Sequence, residues 1–231
     1  MQNLRKNEVI LSGKIATCPV FSHEVIGERF YEMILDVKRL SGAVDSLPVT
    51  ISERLMKTVD FTDFQQGDEI EISGDFRSHN QEIDGKSKLL LSVFCKSVSP
   101  KSSQIDKNQI DLLGYVCKPP TYRVTPLNRQ INDLLLAVNR QNRKSDYIPL
   151  IIWGRNATMA KDYKVGDCVG IKGRVQSRKF NKTIGEVSEE RTAYEVSVQE
   201  VYEYLPKLEK HLIFDEDSAL KTPDDASLGR G

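Results

Sequence analysis

The chain has 231 residues, 33 Lys+Arg balanced by 33 Asp+Glu, and 39% hydrophobic residues. That composition supplies a packed core for one large or two small domains. It excludes a collagenous, low-complexity or supercharged chain. No apolar run approaches the roughly 18 residues that a membrane span needs. The opening MQNLRKNEVILSG has no apolar core followed by a small-residue cleavage site, so a cytoplasmic protein with no membrane partner is expected.

In chain order the sequence reads as strands and turns with little helix. Residues 7–13 alternate apolar and polar, as a half-buried strand does. Residues 30–37 and 47–51 are the next two strand candidates. Residues 53–64 carry helical spacing with Leu55, Val59 and Phe64 as apolar points. Gly67-Asp68 punctuates, residues 69–76 alternate again, and residues 89–98 form a fifth strand. Five short strands with one helix between the third and fourth is the order of an OB-fold, a small Greek-key barrel.

Residues 101–107 are polar and read as a linker, after which the pattern restarts. Asn108 to Gly114 matches Asn7 to Gly13 at an offset of 101, and Pro120, Val138, Arg140 and Arg155 match Pro19, Val37, Arg39 and Arg54 at the same offset. Gly166-Asp167, Gly173 and Ser177 match Gly67-Asp68, Gly74 and Ser78 at 99, and the last strands align at 103. An ordered series of this kind predicts two tandem copies of one fold, with the small drifts absorbed in loops. The expected class is therefore all-β: two tandem OB-folds, each with one short helix. The N-terminal copy spans 1–100, the linker 101–107, the C-terminal copy 108–205, and a flexible acidic tail 206–231.

The four cysteines, Cys18, Cys95, Cys117 and Cys168, form no CxxC pair, so reduced thiols without a metal or other cofactor are expected. No phosphate loop, zinc-protease motif or paired acidic site is present, which argues against an enzyme. Charge is unevenly placed. Residues 1–105 carry 13 cations against 15 anions, 106–205 carry 16 against 12, and 206–231 carry 4 against 6. The basic excess lies in the half that holds the only Trp, Trp153, and a local basic groove matters more than net charge.

Between Tyr147 and Phe180, aromatics are interleaved with Arg174, Arg178 and Lys179. Such a mixture on a twisted sheet suits stacking of unpaired bases and neutralisation of phosphates. Read from its own surroundings, Trp153 suits a core position as well as a stacking platform. Phe180, in the basic hairpin RKFNKTIG, is harder to place in a core.

The second half resembles a bacterial single-stranded DNA-binding (SSB) domain. The resemblance is carried by Leu112-Leu113-Gly114-Tyr115-Val116 with Pro120, Leu136-Ala137-Val138-Asn139-Arg140, Ile151-Ile152-Trp153-Gly154, Gly166-Asp167, Gly173-Arg174-Val175-Gln176-Ser177-Arg178 and Arg191-Thr192-Ala193-Tyr194-Glu195-Val196. It implies sequence-independent single-strand binding, with bases stacked on Tyr147, Trp153 and Phe180. The cations it brings to the strand are Arg174, Arg178, Lys179, Arg140, Arg143, Lys144, Arg123 and Arg191. The family's aromatic in the hairpin after the second strand has no counterpart, since this chain reads NRQNRKSD there. Base stacking does not inspect the 2′-OH, so RNA stays open as the strand.

SSB-like proteins usually assemble four OB-folds, so a homodimer of a tandem chain is expected. Roles in replication, repair and recombination and a nucleoid location follow from the resemblance. The sequence closes on Leu228-Gly229-Arg230-Gly231 where the family carries an acidic, Phe-terminated tip, so the family's usual partner recruitment is not expected. The nearest substitute for docking a protein partner is Leu212 to Asp217. At the repeat offsets, Tyr147, Trp153 and Phe180 correspond to Ser46, Ser52 and Gln81, so the first copy is expected to have lost most strand contact and to serve assembly or partner binding. The competing reading is an SSB-like accessory or interaction module of a replication, primosome or mobile-element system.

Overall fold

A computed structural model describes residues 6–59, 64–83, 85–184 and 187–203. The expected tail at 206–231, including Leu212 to Asp217, and part of the expected helix over 53–64 lie outside them. The first half holds β1 (Lys6–Val25), β2 (Glu28–Lys38), β3 (Val44–Ser52), α1 (Glu53–Thr58), β4 (Glu69–Ile83) and β5 (Lys86–Pro100). The second holds β6 (Asn108–Val116), β7 (Thr121–Val124), β8 (Gln130–Asn139), β9 (Ser145–Trp153), α2 (Gly154–Met159), a single 3-10 turn (Ala160–Asp162), β10 (Cys168–Ile184) and β11 (Val187–Glu203).

The strands are ordered β2-β3-β5-β4-β1-β6-β10-β11-β9-β8-β7, and the extra pairings β2–β1 and β6–β8 close each half into a five-stranded barrel. Each closes through one parallel pairing, β3 with β5 and β9 with β11, while the other ladders are antiparallel. These are two OB-folds. In the first, β1 runs through a bulge between Thr17 and Val20 and serves both edges. In the second, Pro119-Pro120 withdraws two N–H donors in a row, and the corresponding strand is split into β6 and β7.

Alternation builds both cores. Leu35, Leu47, Ile51, Ile70, Phe76 and Val93 fill the first barrel and Leu136, Ile148, Ile152, Ile171, Val175 and Val196 the second, each fully buried. Burying each aliphatic side chain contributes roughly 1.5–3 kcal/mol. The repeated glycines mark where strands cross too closely for a side chain. A Cβ on Gly13 would fall against the Asp36 carbonyl, and one on Gly114 against the Ala137 carbonyl. We expect Gly13→Ala to cost about 1–3 kcal/mol, the range for an overpacked core. A thermal melt matching wild type would refute that crowding.

The two barrels are joined by an antiparallel ladder between β1 and β6, from Lys6↔Leu113 to Leu11↔Asn108. Val9 pairs with Ile110, its own counterpart at the offset of 101, so a local twofold axis passes through that pair. Asn7 exchanges two hydrogen bonds with the backbone of Phe76, and Asn108 does the same with Val175. The connecting segment is tied down as well. The Lys107 N–H donates to Ser12 Oγ at 2.6 Å, and the side chain of Lys101, 4% exposed, pairs with Asp106.

A reciprocal contact locks the pair. On one side Arg140 Nε donates to Asp146 at 2.9 Å, and Asp146 accepts the Ser78 N–H of the other barrel at 2.6 Å. On the other side Arg39 Nε donates to Asp45 at 2.6 Å, and Asp45 accepts the Ser177 N–H at 2.9 Å. Arg39 matches Arg140, Asp45 matches Asp146 and Ser78 matches Ser177 at the repeat offsets.

Candidate nucleic-acid interface

Strand β9 sorts its residues by parity. Ile148, Leu150 and Ile152 point inward and are 0–1% exposed, whereas Tyr147 and Trp153 point outward at 44% and 37% exposure. Six residues of strand separate the two rings by roughly 20 Å, room for separate bases. Trp153 stands in register with Ile131 on β8, and Ile131 with Arg123 on β7, so Arg123 lies in the same row as the indole. Tyr147 faces Ala137 on β8, a small neighbour that leaves its ring uncovered.

The chain gives up local stability to place Trp153. It occupies the N-cap of α2 and makes no side-chain cap bond. In the first barrel Ser52 holds the equivalent position and accepts the Leu55 N–H at 3.2 Å. Gly154, with φ +59, then turns the chain from strand into helix. A poor cap beside an exposed large ring breaks a local rule in the way binding sites do.

Strand β10 carries Arg174, Gln176, Arg178 and Phe180 on one parity, facing Glu195, Ala193 and Arg191 of β11. The Arg178 guanidinium sits 5.4 Å from the centre of the half-buried Phe180 ring, a cation–π pair. Arg178 also lies 3.6 Å from Glu195.

The other cations divide by what already holds them. Arg140 is committed to Asp146 and to the Ser78 carbonyl, at 2.8 Å from the latter. Arg174 bonds Gln176 at 3.1 Å and approaches Asp45 at 3.5 Å. Burial, with the neighbouring Arg39 charge, holds its guanidinium below the ordinary range. These two belong to the inter-barrel lock as much as to an outer face. Lys179 pairs with Glu190, Arg191 with Glu189, and Arg123 with Asp133, all at exposed or half-exposed sites. Such pairs are worth at most about 1 kcal/mol and open readily to a phosphate. Arg143 and Lys144 stand exposed in the β8–β9 turn with no ion pair among the described residues.

The first barrel lacks the three aromatics of the second, as its sequence indicates, but its outer face is not bare. Phe30 on β2 lies in register with Ser52 on β3, and Ser52 is the counterpart of Trp153. The His23 ring stacks on Phe30 at 5.1 Å, Phe30 meets Phe94 at 6.0 Å, and the Arg77 guanidinium lies 3.6 Å over Phe94. Sequence reasoning missed this row because it sought aromatics only at repeat-equivalent positions.

Against known proteins, residues 107–204 match the model of the single-strand binding protein family. The match covers the second barrel, which is similar to the domain of that family. Single-stranded DNA-binding protein 1 of Lactococcus lactis subsp. lactis is 36% identical over 86 residues, covering 34% of this chain and 57% of that protein. The single-stranded DNA-binding protein of Oceanobacillus iheyensis is 36% identical over 80 residues, covering 32% and 50%. The chain thus spans about half the length of these family members. In structure, wild-type single-stranded DNA binding protein from Thermus aquaticus superposes with a TM-score of 0.70 at 20% identity, over 87% of this chain and 94% of that one. That likeness extends the family's fold to both barrels.

Proposed function

We propose that the chain binds single-stranded DNA without sequence preference, mainly through the second barrel, by stacking bases on Tyr147, Trp153 and Phe180 and by neutralising phosphates with cations around them. The observation that carries this is β9: its inward residues are sealed in the core while its two aromatics stand in solvent on one face. Arg178, Lys179, Arg143, Lys144, Arg123 and Arg191 are the cations positioned to meet a strand. Arg140 and Arg174 act chiefly by holding the two barrels together. Nothing in this reading calls for catalysis or a cofactor. The family relatives named above are, by name, single-stranded DNA-binding proteins.

Titrating the intact chain with oligo-dT at two salt concentrations tests stacking and charge together. Fluorescence of the sole Trp should be quenched, and affinity should fall with salt by a slope of about −0.7 per phosphate neutralised. Unquenched fluorescence on binding would refute the platform role of Trp153.

The same reading proposes two domains, 1–100 and 108–205, in a chain that pairs into a homodimer of four OB-folds and works in replication, repair and recombination at the nucleoid. Sedimentation as a monomer at micromolar concentration would contradict the dimer. No described helix is long and apolar enough to cross a membrane. One observation favours an accessory, protein-binding role instead: most cations of the interface are already ion-paired. Under that reading the salt slope would be close to zero.

A further inference from the structure

We infer that the first barrel is a second base-binding surface, built on His23, Phe30, Phe94 and Arg77, and that one strand runs onto it from the second barrel through the groove at the local twofold axis. This rests on the single-strand reading of the second barrel.

The exposed aromatic is transposed between the two barrels. In the second barrel Trp153 on β9 faces Ile131 on β8. In the first, Ser52 on β3 faces Phe30 on β2, and these four residues are two repeat-equivalent pairs at the offset of 101. The aromatic has moved across one strand pair and stayed on the same outer face. Thr50, beside Ser52 on that face, is in register with Phe94 on β5, which brings the second ring next to the first. The outcome is a row of four π-systems, carried by β1, β2, β5 and β4, that passes over Ser52 and Thr50 of β3. Its ends are the exposed His23 ring and the half-buried Arg77 guanidinium. Arg77 Nε is buried with no hydrogen-bond partner, while another of its nitrogens is held by Asp75 at 3.2 Å. A guanidinium held 3.6 Å over an aromatic ring is a surface on which a base can stack in turn.

A groove leads from one outer face towards the other. It has a volume of about 530 Å³ and lies between the barrels, lined among others by Pro48, Leu90 and Lys88 of the first and Pro149, Ala193 and Phe180 of the second. Pro48 and Pro149 are repeat counterparts at 101, and Leu90 and Ala193 at 103, so the groove straddles the local axis. On one side Pro149 lies between Tyr147 and Trp153 on the outer parity of β9. On the other, the groove includes Glu32 and Ser92, the outward neighbours of Phe30 and Phe94 on their strands. Phe180 thus stands midway between two aromatic rows rather than at the edge of one.

The test compares oligo-dT of about 8 nucleotides, the span of one OB-fold, with oligo-dT of about 30 nucleotides, long enough to engage both. Fluorescence polarisation of labelled strands is measured on the intact chain and on His23→Ala/Phe30→Leu. The variant should bind the long strand about tenfold more weakly, as expected for one lost stack, and the short strand within about twofold of wild type. Equal affinity of variant and wild type for the long strand would overturn the inference while leaving the second-barrel site standing. Failure of the wild type to bind either strand would overturn both. His23→Ala alone, an exposed change, and photocrosslinking of a halogenated-uracil strand to the unaltered chain guard against misfolding of the double variant. Crosslinks at His23, Phe30 or Phe94 support the second surface, and crosslinks confined to the second barrel refute it.

Discussion

Asp146→Ala should lower the stability of the chain by about 3–5 kcal/mol, the range for removing one partner of a buried ion pair. The Asp146 side chain is 1% exposed and accepts from Arg140 and from the Ser78 N–H of the other barrel. Truncation leaves that N–H buried without an acceptor and the Arg140 guanidinium without its counter-charge. Arg140 is 25% exposed and regains some water, which places the loss toward the lower end. For a protein of this size the melting temperature should fall by about 10 °C. Asp146→Asn keeps an acceptor for Ser78 and should lose less. Asp45→Ala should cost at least as much, because Asp45 is fully buried and also accepts from the Ser177 hydroxyl and approaches Arg174. A circular-dichroism melt of Asp146→Ala within about 2 °C of wild type would contradict the lock.

The repeat that exposed the two domains in the sequence also contained their symmetry, but not the contact that realises it. Arg39 and Arg140 are visible as repeat marks. Their shared task depends on an aspartate six residues further on and a serine in the other barrel, and no local pattern links those three. Likewise, Asn7 to Gly13 and Asn108 to Gly114 read as two separate first strands, whereas they pair with each other through Val9 and Ile110. The segment expected as a linker is tied down by Lys101, Asp106 and Lys107, contacts that its polar composition does not announce.

Hairpin β4–β5 outruns the expected strands because RSHNQEI alternates weakly in hydrophobicity. Its outer part is held by cross-strand backbone bonds, which leave no mark in composition. The outward placement of Tyr147 and Trp153 was legible because strand parity sets it. The row in the first barrel was not, since a transposed aromatic keeps its face and loses its alignment.

Trp153→Ser separates binding from folding more cleanly than truncation to alanine, because serine is what the first barrel carries at this position. Each stacked base contributes about 1–3 kcal/mol, a range measured on single-strand-binding OB-folds themselves rather than worked out from this chain. Trp153→Ser should therefore weaken oligo-dT binding about 5- to 150-fold. Adding Tyr147→Ala, roughly 20 Å away along β9, should multiply the loss, since well-separated sites act independently. Stability should move the other way or stay level. The new hydroxyl can accept an N–H of α2 as Ser52 does in α1, an N-cap worth about 0.5–2 kcal/mol, and the core residues of β9 are untouched. The salt slope should also hold, because no phosphate contact is removed, whereas Arg143→Ala/Lys144→Ala should reduce it by about 1.4 if both cations reach phosphate. Polarisation of a labelled strand reads all of these without the Trp signal. A Trp153→Ser chain that melts well below wild type would place the indole among the packing residues, and an unchanged affinity would remove it from the strand's path.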